Sequence, residues 1–154
     1  MSVANSTISG NSGTSGGGIY NTSSLIVRNT ILNAGASGAN IFNDGGTVTS
    51  LGYNLSSDDA GGYLTGSGDQ INTDPLLGPL QNNGGPTFTH ALLPGSPAID
   101  AGDPNFTPPP SNDQRGCHFD RVFNGRIDIG SFETQPPHRP CSTPRLRPTP
   151  PPRP

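Results

Sequence analysis

The sequence predicts an all-β chain: a short right-handed parallel β-helix of about three coils, with a C-terminal cap and a disordered Pro-rich tail. Three observations predict it. Apolar runs in the first half are only two to four residues long, β-branched, and flanked by Gly, Asn or Ser, which reads as short strands between tight turns rather than helix. Those runs recur at a spacing near 23 residues, the signature of a stacked repeat. The third observation is composition. Hydrophobic residues make up 29% and charged residues 12% of 154, with 22 Gly and 18 Pro. That is too little apolar surface for a thick core and too little charge for a polyelectrolyte-like disordered chain. A thin core repeated in register reconciles the two.

Residues 1–73 carry the repeat. Val3-Ala4-Asn5-Ser6-Thr7-Ile8 aligns with Ile26-Val27-Arg28-Asn29-Thr30-Ile31 at an offset of 23. Gly18-Ile19-Tyr20-Asn21 aligns with Asn40-Ile41-Phe42-Asn43 at 22, and Ser24-Leu25-Ile26-Val27 with Thr47-Val48-Thr49-Ser50 at 23. Ile8, Ile31 and Leu55 then share one column. Successive coils would stack at about 4.8 Å, with aliphatic side chains inward and Asn or Gly at corners of positive φ. Asn amides in one column would form ladders between coils.

Residues 74–133 abandon the period. Turn signals at Asn83-Gly84-Gly85-Pro86 and Pro94-Gly95-Ser96-Pro97 punctuate a concentrated apolar set: Leu76, Leu77, Leu80, Leu92, Leu93, Ile99, Ile129 and Phe132. A stacked repeat needs its exposed end closed, and this set is expected to plug it, with Arg115 and Asp128 as an ion pair. Residues 134–154 hold Pro in abundance and four of the eight Arg, and are expected to be extended or disordered.

Two resemblances accompany this reading. Ile8-Ser9-Gly10-Asn11 with Gly16-Gly17-Gly18-Ile19-Tyr20 resembles the repeat of polymorphic outer-membrane proteins. The series Asp74-Pro75-Leu76-Leu77-Gly78-Pro79-Leu80-Gln81-Asn82-Asn83-Gly84-Gly85-Pro86, Pro94-Gly95-Ser96-Pro97-Ala98-Ile99-Asp100-Ala101-Gly102, Asp113-Gln114-Arg115-Gly116 and Asp128-Ile129-Gly130-Ser131-Phe132-Glu133 resembles the C-terminal module of bacterial choice-of-anchor Q proteins. The chain departs from that family at Ile127, often Cys there, at Ser131, commonly Ala, and at Cys117, where an apolar residue is usual. The resemblance implies a β-helix closed by this module in a secreted or surface-displayed bacterial protein. The chain begins mid-repeat without a signal peptide, so further upstream coils are expected as its partner, and its open first strand as an edge for self-association.

Charge and motifs narrow the function. Residues 1–113 hold Arg28 against eight Asp, a net −7, and residues 114–154 hold seven Arg against Asp120, Asp128 and Glu133, a net +4. The acidic part argues against nucleic acid, which calls for clustered basic residues. No segment approaches the about 18 apolar residues of a membrane span. Asn72-Thr73-Asp74 matches one short motif of polygalacturonases, but the paired Asp residues such hydrolysis uses do not follow it; Asp58-Asp59 precedes it. A lyase would need an Arg or Lys base, and Arg28 is the only basic residue of the coils. His90, His118 and His138 are scattered. No catalytic, cofactor-binding or metal-binding residue is therefore assigned. Calcium is the one cofactor considered, through turn residues Asp44, Asp58, Asp59, Asp69 and Asp74, whose carboxylates equally suit Asx turns. Cys117 and Cys141 give no metal spacing, and a bridge between them is left open. The resulting expectation is a non-catalytic, adhesin- or stalk-like module located outside the cell or on its surface. The alternative is a carbohydrate-active β-helix binding surface glycans or degrading polysaccharide, for which Tyr20, Tyr53 and Tyr63 are the only Tyr residues that could build an aromatic row.

Overall fold

The computed structural model describes residues 1–136. All regular structure among them is β, apart from one 3₁₀ turn at Ala60–Gly62. Ten strands occur: β1 (Ser2–Ala4), β2 (Thr7–Ser9), β3 (Gly16–Asn21), β4 (Ser24–Arg28), β5 (Ile31–Asn33), β6 (Ala39–Asn43), β7 (Thr47–Ser50), β8 (Leu55–Ser56), β9 (Leu77–Gln81) and β10 (Thr89–Leu92). The first eight form three parallel sheets, β1-β4-β7, β2-β5-β8 and β3-β6, while β9 and β10 pair antiparallel. No helix among the described residues is long and apolar enough to cross a membrane. The expected tail lies outside the described residues, save 134–136.

Strands three apart in the chain pair because the intervening turns are short and equivalent. Backbone bonds continue across the corners, as in Asn5 N–H to Arg28 O at 3.3 Å, Ile31 N–H to Ser6 O at 2.9 Å and Leu55 N–H to Thr30 O at 2.9 Å. Asn5, Asn29 and Tyr53 share one corner at φ of 49°, 47° and 55°. The conformation suits Asn; Tyr53 holds it without that preference. Two amide ladders link the turns: Asn29 Nδ2 donates to Asn5 Oδ1 at 2.9 Å, and Asn21 Nδ2 to Asn43 Oδ1 at 2.6 Å.

The register departs from the sequence alignment at one place. Val3 pairs Val27 and Ile8 pairs Leu32, an offset of 24 rather than 23. Thr7, not Ile8, stands in the column of Ile31 and Leu55. A one-residue slip exchanges the faces of a strand, and the consequence is visible. Ile8 and Leu32 join Leu25, Val27, Ile19, Ile41, Ala60 and Leu64 in one apolar cluster shared by the three parallel sheets. Ile31 and Leu55 point to the opposite face and belong to a second cluster. A single averaged period hid compensating differences in turn length, since the β3–β6 pair runs at 22 between Ile19 and Ile41.

Residues 57–73 pack on the inner cluster. Ala60 and Leu64 are buried in it, Tyr63 packs on it, and the segment bonds back through Ser56 N–H to Gln70 O at 2.8 Å and Tyr53 N–H to Ser67 O at 2.9 Å. Residues 74–133 instead lie along the side. Leu92, Ala98, Ile129 and Phe132 are buried against Ile31 and Leu55, with Leu77 and Ile99 at the margin. Leu76, Leu80 and Leu93, expected in the plug, are 37%, 58% and 43% exposed. The module also reaches the first turn, where Ser131 N–H donates to Thr7 Oγ1 at 3.1 Å.

Candidate functional site

The chemistry of the molecule concentrates between this module and the repeat corner. Asp113-Gln114-Arg115 forms a tight turn in which Asp113 Oδ1 accepts from Arg115 N–H at 2.8 Å. The same carboxylate pairs with the Arg115 guanidinium at 2.6 Å and accepts from Glu133 N–H at 2.8 Å. Arg115 is sandwiched between Phe119 and Phe132, with its guanidinium carbon 3.8 and 3.7 Å from the ring centroids, a desolvated cation–π geometry. The expected Arg115–Asp128 pair is thus replaced by Arg115–Asp113: two residues apart in a turn, Asp113 is the nearer carboxylate. Asp128 accepts instead from the N–H groups of Asp100, at 2.7 Å, and Thr134, at 2.6 Å.

Arg121 is the largest fully buried side chain. Its Nη2 donates to Gly130 O at 2.7 Å, Asp128 O at 3.1 Å and Asn5 Oδ1 at 3.3 Å. Its Nη1 lies 3.7 Å from Glu133 Oε2, an ion-pair distance but not a hydrogen bond, and neither Nε nor Nη1 has a hydrogen-bond partner. Burial holds the Arg121 guanidinium below its ordinary range against the pull of Glu133, Asp113 and Asp128. Glu133 accepts from Asp128 N–H at 3.0 Å and Phe123 N–H at 3.2 Å. Burial, joined by repulsion from Asp128, pushes its carboxyl up to about 8 despite those donors and Arg121. Burial likewise raises Asp128. Carboxylate oxygens of Asp100, Asp128 and Glu133 lie within 4.8 Å of one another, but those of Asp128 and Glu133 face backbone N–H donors, so the cluster is explained by the chain itself.

A cavity of about 500 Å³ opens where this cluster meets the first turn, lined among others by Asn5, Thr7, Asn112, Gln114, Ser131 and Arg121. Sequence reading singled out none of it as a site. Asp113 and Arg115 carried a local signal, the Asp-x-Arg turn. Arg121 and Glu133 carried none, because their proximity depends on how loops 116–127 and 130–134 close on each other.

The residues weighed for chemistry are dispersed. Asp58 accepts from Asn40 N–H, Ala60 N–H and Ser56 Oγ. Burial would raise its pKa, but these bonds outweigh it and hold it below the ordinary carboxylate range. Asp59 and Asp74 accept from the N–H two residues on, Gly61 and Leu76. Asp69 caps the turn at Gly66 N–H and holds Asn54. Asp44 takes the Tyr20 hydroxyl at 2.5 Å, which raises the Tyr20 pKa. Apart from Asp44 these carboxylates hold turns, and among the described residues the five form no cluster of ligand atoms. The three tyrosines do not form a row: Tyr20 is 53% exposed and stacks on Phe42 at 5.4 Å, Tyr53 lies 5.9 Å under Arg126, and Tyr63 packs on the inner cluster. His90 Nδ1 bonds Gly78 O at 2.7 Å. Cys117 is disulfide-bonded and no free cysteine occurs among the described residues; the expectation for Cys141 lies outside them.

No family model, curated protein or solved structure matches this chain.

Proposed function

We propose that this chain is a non-catalytic structural module: a short parallel β-helix over residues 1–73, braced by residues 74–133, of the adhesin- or stalk-like kind that works outside the cell or on its surface. One observation carries the reading. Three sets of strands pair in parallel with their equivalents 22 to 24 residues on, and one apolar cluster runs through all three sheets. Such repetition builds stability from neighbour contacts, and the buried charges beside it hydrogen-bond backbone groups. The resemblance of 74–133 to the choice-of-anchor Q module supports the same assignment of place and role. Catalysis on polysaccharide is the competing reading, and turnover decides between them. Pectate and other uronic-acid polymers, with and without calcium, should show no cleavage by the full chain. A rate abolished by Asp58→Ala or Asp74→Ala would replace the structural reading with an enzymatic one.

A further inference from the structure

The β9–β10 hairpin carries more apolar side chain than its own packing uses. Its inner face is set by Leu77 and Leu92, which stand opposite each other and belong to the cluster of Ile31 and Leu55. Side chains alternate along a strand, so Leu80 and its partner His90 turn to the outer face. A Cβ at Gly78, on that face, would lie 3.4 Å from Leu93 Cδ2, which puts Leu93 there as well. Phe88 precedes buried Thr89 and turns outward by the same alternation. Leu76, whose carbonyl accepts from Leu93 N–H at 2.9 Å, flanks them. Leu76, Leu80, Phe88 and Leu93 are 37%, 58%, 62% and 43% exposed. Large apolar residues gathered on one exposed face mark an interaction surface, whereas scattered ones do not.

Charge identifies the occupant. All 11 acidic residues and all 8 Arg of the chain lie outside residues 75–99, so the face has nothing with which to pair a charged partner. A lipid surface is met by apolar side chains with Lys or Arg beside them, and this segment is flanked instead by Asp74 and Asp100. Residues 137–154 would bring four Arg, with Leu146 as their only large hydrophobic residue. A second copy of the chain brings the same uncharged apolar face, and a two-fold axis sets like against like without repulsion.

We propose that the outer face of the β9–β10 hairpin is a homodimer surface, on which Leu76, Leu80, Phe88 and Leu93 of two chains pack together about a two-fold axis. Each two-stranded sheet thereby gains a second layer on its uncovered side. Four partly exposed side chains form only the centre of an interface, set against the roughly 800 Å² per partner that stable complexes bury, so the dimer is weak and concentration-dependent. The surface stands whether the chain is structural or enzymatic.

Sedimentation velocity of the full chain from about 10 μM to about 1 mM tests it. The expected result is a monomer–dimer equilibrium within that range. Leu80→Asp and Phe88→Asp each place a charge on the face. Both sites are more than half exposed, so both variants should melt like the parent at the lowest concentration and dimerise at least about tenfold more weakly. Leu80→Gln removes the apolar contact without a charge and reads the same effect should an Asp variant unfold. Leu51→Asp, at a position 57% exposed outside the hairpin, adds the same charge and should leave the dimer unchanged. A parent that is monomeric throughout the range overturns the proposal, as does an equal loss in Leu51→Asp. Association that Leu80→Asp and Phe88→Asp leave intact also overturns it and points to the open edge of β1. Co-sedimentation with phosphatidylcholine vesicles is the remaining arm: a monomeric parent carried down by vesicles, with the Asp variants left behind, reassigns the face to a membrane.

Discussion

The repeat and the module that flanks it solve the same problem by different chemistry. In residues 1–56 the backbone finds parallel partners 22 to 24 residues on, and the interior can be aliphatic: Leu25, Val27 and Leu32 are fully buried. In residues 74–133 regular pairing is confined to the β9–β10 hairpin. There charged side chains take over the work of the ladder. Arg121 serves Gly130 O and Asp128 O, Arg126 serves Gly102 O and Ala101 O, and Arg115 serves Glu133 O. Asp113, Asp128 and Glu133 in turn accept from backbone N–H groups. Repetition supplies hydrogen-bond partners without side chains; irregular buried backbone needs side chains that bring several donors or acceptors to one point. The module thereby buries five ionic residues, Asp113, Arg115, Arg121, Asp128 and Glu133, and becomes the part of the molecule sensitive to pH and to single charge changes.

That contrast can be broken most forcefully at Arg115. Arg115→Ala leaves Asp113 buried without its cation and empties the space between Phe119 and Phe132, and should cost about 3–5 kcal/mol; denaturant unfolding measures it. In the repeat the comparable change is apolar. Leu32→Ala should cost about 2–5 kcal/mol, and its loss should be insensitive to salt and pH where that of Arg115→Ala is not.

The pH profile sharpens the difference. Glu133 titrates at 4.5 in the ordinary state and at about 8 in the folded chain. Between those values the folded state holds a proton that the unfolded state releases, so this group's contribution to stability is full below about 4.5, falls as pH rises, and is level above about 8. Asp128, also raised, acts in the same sense. Thermal melts across pH 5–9 should show the midpoint falling, and Glu133→Gln should flatten the slope. A slope unchanged in that variant would remove Glu133 from the explanation.

Smaller effects test the seam and the exterior. Thr7→Val removes the acceptor for Ser131 N–H and should cost about 1 kcal/mol, seen as faster amide exchange at Ser131. Tyr20→Ala breaks the exposed stack on Phe42 and should lower the thermal midpoint only slightly, with the module untouched.

Much of the repeat was legible because its signals are local and redundant. Short β-branched runs, turn residues and three aligned segments gave the β class and the equivalence of β3 with β6 and of β4 with β7. The first turn was misregistered because Ile8 and Thr7 offer a similar pattern, and only the shared inner cluster distinguishes a column facing in from one facing out. The module's apolar residues were readable as a set, yet their place was not. They pack on Ile31 and Leu55 because that face of β5 and β8 is itself apolar, a fact that depends on the register.

By itself, the sequence determined the periodic, strand-forming character of residues 1–56 and the turn chemistry at Asn and Gly, since each rests on the conformational preferences of neighbouring residues. Tertiary structure alone decided that Ala60 and Leu64 join the inner cluster, that the module bonds back to Thr7, and that Arg121 meets Glu133. Those outcomes join residues 12 to 124 positions apart, where no local preference acts and burial, charge and the closing of loops choose the partner.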